Sequence, residues 1–150
     1  MDPVAPDGKL YFEDVRIGLA LETPGMTLTE THVALFGAVI GDRPADPQGV
    51  PDLLPLCLSS GLGWRLPQLP LVVLAFMGAE WRFLRPARVG DTIRCVSRSL
   101  AKRSLKEGGV VIEERNILNQ RDEVVQRGKL TLLVAKRPAE DRSRAEGTAS

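Results

Sequence analysis

Asp52-Leu53-Leu54-Pro55-Leu56-Cys57-Leu58-Ser59-Ser60-Gly61-Leu62 is the stretch on which the fold turns. Its leucines and Cys57 fall on almost every face of a helix, Pro55 is tolerated in the first turn, and Asp52 can serve as N-cap. A helix that is apolar on nearly every side has to be enclosed on nearly every side. Residues 52–65 therefore predict a buried central helix, and the chain downstream predicts what encloses it.

Leu71 to Leu84 is long and rich in strand formers, with Trp81 and Phe83 on one face and Glu80 and Arg82 on the other. Thr92 to Leu100, Val110 to Leu118 and Val124 to Lys136 follow as strands. Turn signals at Lys106-Glu107-Gly108-Gly109 and Asn119-Gln120-Arg121-Asp122 make them antiparallel hairpins. Upstream, Thr29 caps a first helix, Glu30 suits its dipole, Val33, Phe36, Gly37 and Ile40 recur at helical spacing, and Gly41 stops it. Leu19 to Leu28 reads as an earlier strand. One buried helix inside a strongly curved antiparallel meander is an α+β layout. The parts match a single hot-dog domain, a sheet wrapped around one helix. The expected organisation is a flexible arm at 1–9, the domain at 10–137 and a disordered tail at 138–150. The free edge of the 71–84 strand is expected to pair across a dimer axis.

Composition narrows the function classes. The chain has 150 residues, enough to bury roughly 70% of its unfolded surface. Its 20 Lys plus Arg and 19 Asp plus Glu leave a formal charge of +1, which gives no electrostatic case for nucleic acid. The N-terminal stretch is acidic and Pro-rich without an apolar core. The apolar run 69–79 is too short for a bilayer, so no membrane partner and a cytoplasmic location are expected. A single histidine, His32, and two separated cysteines, Cys57 and Cys95, offer no metal site; reduced packing thiols and a surface or capping imidazole are expected.

Three stretches resemble the MaoC-like dehydratase family. They are Tyr11-Phe12-Glu13-Asp14-Val15-Arg16-Ile17-Gly18, then Thr27-Leu28-Thr29-Glu30 through Leu35-Phe36 to Gly41-Asp42, and Phe83-Leu84-Arg85-Pro86-Ala87-Arg88-Val89-Gly90-Asp91-Thr92. The resemblance implies a hot dog that pairs with a second hot dog, either a copy of itself or another subunit, and handles an acyl thioester. The thioester of coenzyme A or an acyl carrier is then substrate, and no cofactor is implied. Active members, (R)-specific enoyl-CoA hydratases among them, add water across a double bond conjugated to the thioester. That needs a paired acid and base on one water, and N–H donors for the enolate oxygen. The family supplies these from a Gly-Asp-x-Asn-Pro-x-His pattern and from a His-Gly pair at the start of the central helix.

Here Gly41-Asp42 matches, and Arg43-Pro44-Ala45-Asp46 then departs from the pattern, placing Asp46 roughly where His belongs. Val50-Pro51-Asp52 replaces the segment carrying His-Gly, so Pro51 offers no N–H and Asp52 puts negative charge where the oxyanion should sit. Asp42 and Asp46 are the candidate catalytic pair, which works only if proximity raises one carboxyl pKa. Asp52, Ser59 and Ser60 are candidates beside the thioester channel. Arg82, Arg85 and Arg88, with Lys102, Arg103 and Lys106 behind them, are candidates for the phosphates of coenzyme A. Three functions compete: a hydratase/dehydratase-like protein with degenerate acid–base residues, a non-catalytic acyl-binding or partner subunit, and a thioesterase using a carboxylate.

Overall fold

The computed structural model describes residues 8–68 and 70–139. The arm expected at 1–9 lies outside the described residues up to position 7, and the tail expected at 138–150 from position 140 onward. A 3-10 turn at Phe12–Asp14 leads to the short strands β1 (Ala20–Glu22) and β2 (Met26–Thr27), then to helices α1 (Glu30–Ile40) and α2 (Leu53–Leu62). The long strands β3 (Val73–Phe83), β4 (Thr92–Leu105), β5 (Gly108–Leu118) and β6 (Val124–Val134) complete the domain. They form one antiparallel sheet in the order β1-β4-β5-β6-β3, with β2 also on β4. This is the expected hot dog, a curved sheet with α2 against its inner face. Among the described residues no helix is long and apolar enough to cross a membrane.

Local chemistry explains most boundaries. Thr29 accepts from the His32 N–H at 3.3 Å, and the His32 ring returns the favour by accepting the Thr29 N–H at 3.1 Å, so the lone histidine is one half of a capping box. Gly41 ends α1 in the left-handed region at φ 74°. The β4–β5 hairpin closes over Lys106 and Glu107, and Gly108 at φ 119° makes the turn possible. The strand expected at 19–28 is broken at Thr23-Pro24-Gly25. Pro24 has no N–H for a ladder, and the Thr23 hydroxyl instead accepts from the Cys95 N–H at 2.9 Å. β4 runs five residues beyond its expected end, because the irregularity between Ser99 and Ala101 absorbs Leu100 and pairing resumes to Leu105. Further irregularities after Val73, after Phe76 and at Ile117/Leu118 bend the sheet.

The Tyr11–Gly18 segment closes one end of the sheet. Lys102 donates to the carbonyls of Phe12, Glu13 and Val15 and stands over the Phe12 ring. That ring fills the space a side chain at Gly109 would need. Two apolar clusters result, one around Leu28, Leu54, Ile93 and Ile117 and one around Phe12, Val111, Leu130 and Leu132. Trp81 packs against both, over Gly128, and its Nε1–H donates to Gln126 at 3.0 Å.

The enclosure of α2 is one-sided in a single copy. Leu54, Pro55, Ser59 and Leu62 are buried and Leu56 and Leu58 half-buried, whereas Leu53 and Cys57 are exposed. The sheet covers one face of the helix; the other faces outward. A related exposure occurs on β3. The register puts Phe76, Trp81 and Phe83 opposite Leu132, Gly128 and Gln126, on the inner face as expected for Trp81 and Phe83. Yet Phe76 and Phe83 remain 59% and 47% exposed.

Candidate functional site

The residues singled out by the resemblance lie mainly in the loop between α1 and α2. Asp42 follows the left-handed Gly41 and is exposed, and its carboxylate makes no hydrogen bond or ion pair among the described residues. Asp46 is tied down. One carboxylate oxygen accepts the Gln48 N–H at 3.0 Å, and the other pairs with the Arg88 guanidinium at 2.7 Å. The Gln48 N–H, and after it Arg88, hold the Asp46 carboxyl below its ordinary range. This is the reverse of the raised pKa that an acid–base partner would require. Val89 N–H to the Gln48 carbonyl at 2.9 Å, and a bridge between Gly49 and Arg88, fasten this loop to the Phe83–Thr92 turn. That turn is joined to the Thr27–Asp42 stretch by Leu28 and Asp91, N–H to carbonyl at 2.8 Å. Two of the three family-like stretches are therefore one structure. A hollow of about 350 Å³ lies between α1 and the loop, bordered by Asp46 and Gly37.

Asp52 stands at the N-cap position of α2 in helical conformation, and its side chain makes no capping bond. The expected cap is absent because αR dihedrals point the carboxylate away from the free N–H groups. Its backbone carbonyl instead accepts from Gln126 at 2.8 Å. The basic residues do not form a single rim. Arg85 pairs with Glu123 at 3.0 Å, Arg88 with Asp46, and Arg82 projects on the outer face opposite Arg127. Arg103 and Lys106 lie at the far end of β4, roughly 40 Å along the strand at about 3.3 Å per residue, and the Lys102 ammonium is occupied by carbonyls.

The large cavity is elsewhere. It measures about 880 Å³ and opens between the C-terminal half of α2 and the inner face of β4 and β5, within the usual range for small-molecule sites. Ser59 and Ser60 line it; Asp42, Asp46, Asp52, Arg82, Arg85 and Arg88 do not, and it shares no lining residue with the smaller hollow. The buried Ser59 hydroxyl donates to the Leu56 carbonyl at 2.7 Å, whereas Ser60 accepts from Arg115 at 3.3 Å. Arg115 also donates to Glu113, and both line the cavity. Sequence reasoning missed this pair. The signal was present: with Val111 and Ile117 facing inward, strict alternation puts Glu113 and Arg115 on the inner face as well. Cys95, also on the wall, is buried with its thiol pushed up to about 11 by desolvation, so it packs rather than reacts at neutral pH. Cys57 is free and exposed, against the expectation of two packing thiols.

No family model matches the sequence, and no curated protein matches it. Solved structures do. A monoamine oxidase regulatory protein from Archaeoglobus superposes with TM-score 0.78 at 28% identity, over 87% of this chain and 97% of that one. A MaoC-like dehydratase from Rhodospirillum rubrum gives 0.71 at 22%, over 86% and 99%. A double-hot-dog protein from Mycobacterium tuberculosis gives 0.72 at 22%, over 89% of this chain and 46% of that one. (R)-Hydratases from Pseudomonas aeruginosa and A. caviae, and the HadBC 3R-hydroxyacyl-ACP dehydratase complex of M. tuberculosis, share the fold. The chain is a hot-dog domain whose structural neighbours are the MaoC-like dehydratases and (R)-hydratases.

Proposed function

We propose that this chain binds an acyl thioester, is a poor hydratase by itself, and works as one member of a hot-dog pair in the cytoplasm. The observation that carries this reading is the Asp46 carboxylate. It stands in the α1–α2 loop, roughly where the resemblance expects histidine, and an N–H and a guanidinium hold it ionised. A carboxylate so held accepts protons poorly and has none to give. Pro51 and Asp52 remove the expected oxyanion donor as well. Binding is less affected, because the cavity under α2 is independent of that loop.

Pairing is supported by the exposed apolar inner face of β3, an edge strand bonded only to β6. An uncovered apolar edge of this length is an aggregation hazard that a second hot dog relieves. The neighbours include a double hot dog and a two-protein dehydratase complex, which supports the same arrangement.

The test is calorimetric titration with a short enoyl-CoA, alongside hydration followed by loss of enoyl absorbance. Saturable binding with slow turnover is expected: losing the oxyanion donor costs about 10²–10³ in rate and losing the acid–base partner about 10²–10⁴. Turnover of ~10 s⁻¹ or more by the unmodified chain refutes the reading. Release of free coenzyme A in place of hydration would make it a thioesterase.

A further inference from the structure

The inner face of β5 reads Gly109, Val111, Glu113, Arg115, Ile117. Val111 belongs to one apolar cluster and Ile117 to the other, so the ion pair interrupts the core between them. Across the ladder to β4, Ser99 stands opposite Glu113 and Ser97 opposite Arg115. The floor of the cavity is therefore a polar strip set between leucine-lined walls, with Ser60 of α2 above it.

The pair is mostly withdrawn from water, with side chains 16% and 17% exposed, yet its hydrogen-bonding capacity is only partly used. Arg115 spends Nε on Glu113 Oε1 and Nη1 on Ser60. Arg115 Nη2 and Glu113 Oε2 have no partner among the described residues, and no unpartnered side-chain atom there is fully buried. These two atoms therefore keep access to the cavity, one a charged donor and the other a charged acceptor.

We infer that the cavity is specific for an acyl chain bearing, beyond the carbon that hydration itself would hydroxylate, a neutral hydrogen-bonding group, a hydroxyl or an amide, seated on Glu113 and Arg115. A plain hydrocarbon chain strips water from both charged atoms and returns no hydrogen bond. A hydroxyl or amide both donates and accepts, so it satisfies Oε2 and Nη2 together. A carboxylate would gain Arg115 but meet Glu113, and the other charges on the cavity wall balance, Arg16 and Arg98 against Glu13 and Asp14. This inference takes from the proposed function only the thioester carrier.

The test is calorimetry on the full chain with octanoyl-CoA, hydroxyoctanoyl-CoAs carrying the hydroxyl at successive carbons from C4 onward, and the ω-carboxy analogue. The corresponding methyl esters, which lack the thioester, are followed by NMR shift perturbation. The best hydroxylated compound should bind about tenfold tighter or better than its plain counterpart, the worth of one hydrogen bond to a charged group. In the Glu113→Leu, Arg115→Met double variant, which leaves no polar atom on the floor at these two positions, that preference should disappear while octanoyl binding is retained or strengthened. If the variant does not fold, the wild-type series decides alone. Equal binding of plain and hydroxylated chains, or preference for the ω-carboxylate, overturns the inference. Hydroxylated esters binding preferentially while no thioester binds would support the cavity's specificity and sink the proposed function. Thioester binding without preference does the reverse, and no binding in either series overturns both.

Discussion

With two copies paired through β3 in the proposed arrangement, replacing Phe76 with Lys should convert the dimer into a monomer at micromolar concentration. Phe76 stands on the inner face of edge strand β3 and is 59% exposed, beside Leu74 and Met77, each 55% exposed. Full burial of such a side chain contributes about 1.5–3 kcal/mol, so covering the exposed share of Phe76 is worth about 1–1.8 kcal/mol. A twofold dimer contains the site twice, which makes the loss about 2–3.5 kcal/mol before the desolvation of two ammonium groups is counted. The dissociation constant should rise roughly 30- to 300-fold or more. Light scattering after size exclusion, run as a dilution series, should show the wild type at twice the chain mass and the variant at the chain mass. Identical masses for both proteins across the series would refute the reasoning, since the β3 face would then bury nothing.

Gly128→Ala should destabilise the fold by about 1–3 kcal/mol or more, because a Cβ there would lie 2.1 Å from the Glu80 carbonyl oxygen and 2.2 Å from the Trp81 ring; an unchanged Tm would show that β3 yields freely. Arg88→Gln should raise the Asp46 carboxyl pKa toward its ordinary value of 3.8, read by NMR titration. A depressed folded pKa stabilises above the unfolded value, so any advantage of wild type over this variant should fade only as pH falls below about 3.8. Cys57 should react with a thiol reagent in the native protein and Cys95 only after unfolding. Because the Cys95 thiol is raised from 9.0 to about 11, stability should decline as pH climbs through that window, and a flat profile there would contradict its burial. Asp42→Asn should lower whatever hydration remains by about 10²–10⁴; unchanged turnover in the folded variant would leave Asp42 a solvated loop residue.

The limits of α1, the run of strands β4 to β6 and the two hairpin turns that join them were legible in the sequence, whereas the expected meander misplaces β3, which lies beside β6 and not beside β4. What was legible depends on groups a few residues apart: Thr29 with His32, Gly41 with its own φ, and Lys106 to Gly108 closing one turn. The hot-dog architecture was legible too, because the apolar helix 53–62 had to lie against a sheet. What the tertiary structure decided are pairings between distant positions. Asp46 meets Arg88 across 42 residues, and that contact turns a candidate proton acceptor into a fixed charge. The basic residues scatter because β4 runs five residues longer than its pattern suggested, and Arg85 and Arg88 each find a carboxylate near their own end of it. Glu113 and Arg115 were on the inner face by alternation alone. Only the small residues of α2 above them, and the serines opposite on β4, left the space that makes them a cavity floor. Backbone periodicity is a local property of the chain, whereas the partner of a charge is set by register and loop closure, which the whole fold has to settle first.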